Sequence, residues 1–503
     1  MRRRDFGKLS FAALAATLAD GAHVGTAAAA GGAGTCYPPF PDGKGLTAYV
    51  AEFVTRTPYE AIPAQVIELG KKSILDGLGL ALAGQRAESG PIMLRYLDGL
   101  GCKGSSTIIG TGRTAAPQFA ALINSVAIHA EDFDDTQLSA EKSKTYGLLM
   151  HPTAPVLPAA LVLAERQGSS GKELMLAYHL GVEVECKIAE AMAPRAYEEG
   201  FHTSALCGPF GSASACARLR GLDTRTTRIA LGIAASTSGG LREEFGTMTK
   251  PLQVGHGAED GYSSVELAAL GWTAADNILE AERGFMRAVA GTFDLKSISG
   301  KLGAPWTFAW PGVSIKPYPS GSLTHPAMTE MANLIRKHDI KPERVTQVQI
   351  GASANNVQTL LYHDPKTGLQ GKFSMEFCMA ILLLERKAGL VEFQDAVVNR
   401  PDVRQMMKKV RFYVDPQAQA AGNDKMMSII RITLQDGSVI TGQSSFGKGS
   451  PANPMSYEEV ADKFRGCAEF ARWPAKKTAA IVQFVRTLEA QTDMRRLTAL
   501  LRA

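Results

Sequence analysis

The sequence predicts a mainly α protein, a large all-helical domain with a smaller α+β domain inserted into it. Three observations carry this. From about residue 44 to 300 apolar residues recur at the spacing of one helix face, and after about residue 311 four short segments alternate apolar and polar at period two. Helical sequence then returns at Ser456. The expected division is 44–311 plus 450–503 for the helical domain and 312–449 for the α+β domain. Hydrophobic residues at 45% and charged residues at 20% supply apolar side chains for sizeable cores and rule out a disordered chain.

Pro63 opens the first clear helix, whose apolar positions run through Val66, Ile67, Leu69, Ile74, Leu75, Leu78, Leu80 and Leu82 to a stop at Gly84. The same periodicity predicts helices over 117–130, 155–167, 171–192, 206–220, 224–238 and 259–270. Many of the 50 glycines lie inside these helices beside Ala and Ser, as in Gly208-Pro209-Phe210-Gly211-Ser212. Each costs a helix about 1 kcal/mol, so such glycines mark places where another backbone or a ligand comes close. Strands are predicted over 345–350, 410–414, 428–434 and 439–443, with Asp436-Gly437 as the hairpin turn between the last two. Ser456 and Glu459 form a capping box ahead of a helix over 457–470.

The net charge of +5 falls to +3 once the first 34 residues, which hold Arg2, Arg3, Arg4 and Lys8 against Asp5 and Asp20, are set aside. So small an excess, without basic patches interleaved with aromatics, speaks against a nucleic-acid partner. Seven cysteines, an odd number with no Cys-x-x-Cys pair, speak against a zinc ribbon, a dense disulfide framework and an iron–sulfur cluster. No segment after the N-terminus offers the roughly 20 apolar residues that span a bilayer. Residues 3–8 read Arg-Arg-Asp-Phe-Gly-Lys, before a weakly apolar run and the alanines at 27–30. This pattern resembles a twin-arginine export signal, so 1–34 is read as signal peptide and linker and the mature protein is placed in a bacterial periplasm.

Three segments gather ionisable groups that structure alone does not ask for. The first is His129-Ala-Glu131-Asp132-Phe-Asp134-Asp135-Thr136, at the end of an apolar helix, with His151-Pro152 after a loop. Four carboxylates at a helix C-terminus oppose its dipole. They read as a functional cluster, as a solvated helix end, or as an oxygen-rich site for Mg²⁺ or Ca²⁺ without EF-hand spacing. The second is Thr247-Met-Thr249-Lys250-Pro251, a rigid loop that aims one ammonium at an anion or leaves it in solvent. The third is Lys316-Pro-Tyr-Pro319-Ser-Gly321, followed by His325, at the boundary of the two predicted domains, where clefts form. His202, in Gly200-Phe-His-Thr203, is a further candidate. No Gly-x-Ser-x-Gly elbow, His-Glu-x-x-His helix or dinucleotide fingerprint is present.

Read together, Asp76-Gly-Leu-Gly79, Asp132-Phe-Asp-Asp135-Thr136, His151-Pro152, Gly200-Phe-His-Thr203, Thr249-Lys250-Pro251-Leu252, Lys316-Pro-Tyr-Pro319 and Asn453-Pro-Met-Ser456 resemble the MmgE/PrpD family over about 45–470. Its best-known members are 2-methylcitrate dehydratase and cis-aconitate decarboxylase. The resemblance implies a helical domain with an α+β lid, a site between them, a homodimer, and no metal or organic cofactor. It also implies a lyase that takes a small anionic polycarboxylate or hydroxy acid, with Asp132, His151, Lys250 and Lys316 catalytic and Thr136 binding substrate. His202 and His325 are added as substrate-binding candidates, while Lys372 lies outside these positions. Eliminating water or CO₂ beside carboxylates builds negative charge, which two lysines and a histidine stabilise. Three departures are noted: Glu190 and Gly321 where decarboxylase-like members have histidines, and Phe377 in place of a tyrosine. They turn the expectation toward a hydro-lyase like 2-methylcitrate dehydratase and away from decarboxylation. An epimerase or isomerase, or a periplasmic protein that only binds carboxylates, are the alternatives.

Overall fold

The structure, a computed structural model, describes residues 42–137, 150–421 and 426–503 of the chain. The predicted signal peptide and most of the loop between Thr136 and His151 lie outside the described residues. Helices dominate. The first long one, α1 (Ala64–Gly84), starts right after Pro63 and is buried all round in its last two turns. Gly84 shows why no side chain is tolerated there: a Cβ would stand 1.9 Å from the Ala127 carbonyl oxygen of α2 (Pro117–His129). The two helix backbones thus touch, as the small residues in this part of the sequence predict.

Behind this pair lie α3 (Thr153–Gln167), α4 (Gly171–Met192) and α5 (Thr203–Arg220). Next comes α6 (Thr249–Ala269), which packs on α2, α3 and α5. The sequence places the start of α6 ten residues later, and the loop it assigns to Lys250 is the first turn of that helix. Pro251 is no obstacle at the third helical position, because its missing N–H would have no partner there. α4 begins with a capping box between Ser170 and Glu173.

The α+β segment builds a four-stranded sheet from β1 (Val345–Ala352), β2 (Val410–Val414), β3 (Ser428–Leu434) and β4 (Val439–Ser444). The order is β2-β1-β3-β4, with β1 and β2 parallel and the other neighbours antiparallel. Gly437 turns the β3–β4 hairpin at φ +82°, where Asp436 Oδ1 accepts from the Ser438 N–H at 3.0 Å. Helices α7 (His325–His338) and α8 (Met375–Glu385) pack on the sheet and on each other. The chain then returns through α9 (Tyr457–Phe470), capped by Ser456 and Glu459, which lies against α1. There Lys463 Nζ and Asp76 Oδ1 pair at 2.7 Å inside the protein.

Two separate apolar cores result. One draws on residues from Leu46 to Ile315 together with Leu390 and the stretch from Val460 to Leu501. The other runs from Leu323 to Ile432. No helix among the described residues is long and apolar enough to cross a membrane.

Candidate active site

α2 ends at His129, and residues 130–137 continue as an irregular but buried segment. The four carboxylates are therefore not a solvated helix end. Cations and backbone from several elements hold them. Thr136 exchanges two backbone hydrogen bonds with Ser314, at 2.8 and 2.7 Å, and Lys463 Nζ donates to the Phe133 carbonyl at 2.7 Å. Lys372 Nζ donates to Glu131 Oε2 at 2.7 Å and to the Glu131 carbonyl at 2.9 Å. So pinned, Asp132 adopts the left-handed conformation at φ +48°, a strained state for a residue with a Cβ.

That turn directs the Asp132 carboxylate between two ammonium groups. Lys250 Nζ donates to Oδ1; Lys316 Nζ lies 3.1 Å from Oδ2 and donates to the Asp132 carbonyl at 2.8 Å. Burial alone would raise the acid's pKa, but Lys250 and Lys316 outweigh it and hold Asp132 well below the usual carboxylate range. Burial lowers the pKa of Lys316, and the like charge of Lys250 adds to this.

His151 closes the group, its Nε2 4.0 Å from Asp132 Oδ1. On its other side Nδ1 meets the Asp135 carbonyl at 3.0 Å, Thr136 Oγ1 at 3.1 Å and Asp134 Oδ2 at 3.4 Å. Burial, only partly offset by Asp134, pushes its pKa down to about 4, so the ring is neutral near pH 7. The carbonyl and the carboxylate facing Nδ1 can only accept, and together they put the single ring proton on Nδ1 and leave Nε2 bare.

Asp132, Thr136, His151, Lys250 and Lys316 line one cleft of about 50 Å³, walled by Tyr197, Phe245, Leu323, Leu360 and Phe373 with Gly321, Ser322 and Thr359. These five predicted residues thus come together from the 130–137 segment, α3's leading loop, α6 and the loop before α7. The charged side chains of the lining sum to one positive charge, two lysines against one aspartate.

His202 and His325 do not line the cleft. His202 is fully buried, meets Gln253 Oε1 at 3.2 Å through Nδ1, and stacks on His129 with ring centroids 5.8 Å apart. His325 opens α7 with Nε2 3.2 Å from the Ser320 carbonyl, bracing the loop that carries Lys316. Of the three departures, only Gly321 reaches the cleft. Phe377 fills the second core against Phe393, and Glu190 pairs with Lys187 at 3.2 Å.

Sequence reasoning missed Asp134 and His129 as a pair, and the aromatic wall of Phe245 and Phe373. The spacing of five between His129 and Asp134 across a helix end was the available signal. Lys372, taken from the sequence as a lysine apart from the site, is buried and bonded to the segment that carries Asp132. Nothing in its sequence surroundings marks it.

Ligand atoms of His129, Asp132, Asp134 and His151 all lie within 4.8 Å of one another, a donor set that suits a divalent cation in composition. The structure commits the two carboxylates otherwise. Asp132 is held by two ammonium groups, and Asp134 accepts from His129 Nδ1 at 2.8 Å. A cation would have to displace these contacts, so the donors as arranged do not fit one.

The chain matches the MmgE/PrpD N-terminal domain over residues 48–298 and the MmgE/PrpD C-terminal domain over residues 318–489. It is similar to cis-aconitate decarboxylase of Homo sapiens, 30% identical over 449 residues that cover 87% of this chain and 90% of that protein. The Mus musculus protein of the same name is 30% identical over 451 residues, 87% of this chain and 89% of the other. Cis-aconitate decarboxylase of Aspergillus terreus is 27% identical over 483 residues, 91% and 96% of the two chains.

Proposed function

The chain belongs to the MmgE/PrpD family, and we propose that it is a lyase of small polycarboxylates or hydroxy acids that draws a proton from the carbon beside a carboxylate. The observation that carries this is the meeting of Lys250, Lys316, Asp132 and a neutral, bare-nitrogen His151 at one cleft. In this reading a substrate carboxylate lies against the two ammonium groups. His151 Nε2 removes the α-proton, and the electron pair left on carbon is delocalised into that carboxylate, where the lysines stabilise the added charge. The carbon–oxygen bond at the next carbon then breaks, a carbon–carbon double bond forms, and hydroxide leaves as water with a proton from Lys316. Proton return from His151 to Lys316 closes the cycle. Asp132 is not the base: it is too acidic, and its part is to keep both ammonium groups charged and aimed.

The relatives favour a second reading, loss of CO₂ from a cis-aconitate-like substrate on the same cation pair. Carbon dioxide leaves, the electron pair passes through the double bond, and protonated Lys316 supplies the proton to carbon. One experiment tests both. Purified protein is incubated in deuterated water with cis-aconitate and a panel of hydroxy acids. Loss of water, loss of CO₂ and deuterium uptake are followed by mass spectrometry and magnetic resonance. Elimination supports the first reading and CO₂ release the second, whereas exchange with neither indicates an epimerase. Acids that raise the unfolding temperature yet stay unchanged would remove the lyase reading altogether.

A further inference from the structure

His151 is held from behind by an ionisable pair that the proposed chemistry does not use. Asp134 is wholly buried and does not line the cleft. Its carboxylate accepts from His129 Nδ1 at 2.8 Å and lies 3.4 Å from His151 Nδ1. His129 is itself locked in place. It closes α2, meets the edge of the His151 ring at a centroid distance of 4.5 Å, and stacks on His202 on the far side. The three groups around His151 Nδ1 are then a carboxylate, a backbone carbonyl and the Thr136 hydroxyl. Two of these can only accept a proton.

We infer that Asp134, clamped by His129, is a positioning residue that fixes His151 in the tautomer with a bare Nε2 and so prepares it as the proton-abstracting base. This rests on the reading of His151 as that base. Among the described residues, the charged and titratable groups that face His151 are Asp134, Asp132, His129, His202, Lys250 and Lys316. When Nε2 takes a proton, Nδ1 keeps its own, and the new positive charge forms beside a carboxylate already in place. Asp134 gains and loses no proton. An acceptor behind the ring serves orientation and charge together, as in other carboxylate–histidine pairs.

The test uses Asp134→Asn in the full chain with ¹⁵N-labelled histidine. Loss of one signal in His151→Gln identifies His151. In the wild-type protein His151 is expected to show a protonated Nδ1 and a bare Nε2. In Asp134→Asn an amide nitrogen at the position where Oδ2 now faces both histidine Nδ1 atoms offers an N–H where the carboxylate accepted, so part of the His151 population is expected to shift toward the Nε2–H form. On whichever substrate the panel identifies, kcat is expected to fall roughly a hundredfold or more with KM changed little. A wild-type His151 protonated on Nε2 overturns the inference, and so does an unchanged tautomer in Asp134→Asn. Should that variant fail to fold, a wild-type spectrum without a protonated Nδ1 still overturns the inference, and Asp134→Ser repeats the comparison. The tautomer is read without turnover, so unchanged turnover in His151→Gln would remove the base assignment separately.

Discussion

Lys250 and Lys316 face each other across one carboxylate, an arrangement that explains both their role and the small stability effect expected on removing either. Each ammonium offsets Asp132, but each also repels the other, and after removal of either one an ammonium remains beside Asp132. Lys250→Met or Lys316→Met is therefore expected to lower kcat/KM by roughly one to two orders of magnitude, the worth of a charge-assisted contact to a developing anion. The unfolding temperature should shift little. Lys301, exposed and remote from the cleft, is the control in place of Lys372. Equal losses in the control and the two test variants would remove both lysines from the site. The acid limb of the pH profile belongs to His151, whose pKa burial lowers from the ordinary 6.5 to about 4. The base is active when unprotonated, so kcat/KM is expected to hold as pH falls through 6 and 5 and to drop only near 4. A limb near 6.5 would mean that another group, or a more solvated His151, takes the proton.

At the scale of elements, the site depends on how closely α1 and α2 approach, because α2 delivers His129 and the segment beyond it. Gly84→Ala would drive a methyl group into the Ala127 carbonyl, where backbone cannot yield, and is expected to cost more than the roughly 1–3 kcal/mol of ordinary overpacking. Gly466→Ala, at an exposed position of α9 with nothing within 4 Å, should instead stabilise by up to about 1 kcal/mol. Thermal unfolding of the two variants measures both signs, and a tolerated Gly84→Ala would show that the helices can separate. The same contrast shows what was legible in the sequence. Helices read from apolar periodicity, the strands and the capping box at Ser456 were legible because each depends on local spacing. The start of α6 was not, since a proline in a first turn resembles a proline in a loop until the orphan N–H groups are counted. Nor was the burial of residues 130–137, which depends on Lys316, Lys372 and Lys463 from segments about 180 to 330 residues away.

At the scale of the whole molecule, the cleft draws its charge from the first core's side and its apolar wall largely from the second core's side. On the proposed function the carboxylic acid lies against the wall formed by Leu323, Leu360 and Phe373. The export reading is tested separately: with Arg3 and Arg4 both replaced by Lys, the precursor is expected to stay in the cytoplasm, and normal export would point to another route. One link between the two sides is a buried ion pair. Lys372, just ahead of α8, reaches across to Glu131, and both side chains are buried. Lys372→Met would leave a buried carboxylate without its cation, a loss of about 3–5 kcal/mol, whereas the double variant Lys372→Met with Glu131→Gln removes both charges and should recover most of it. Denaturant unfolding of the wild type, the two single variants and the double variant closes that cycle. If the double variant is no more stable than Lys372→Met alone, the contact is packing rather than charge, and the two sides are held together by their apolar surfaces.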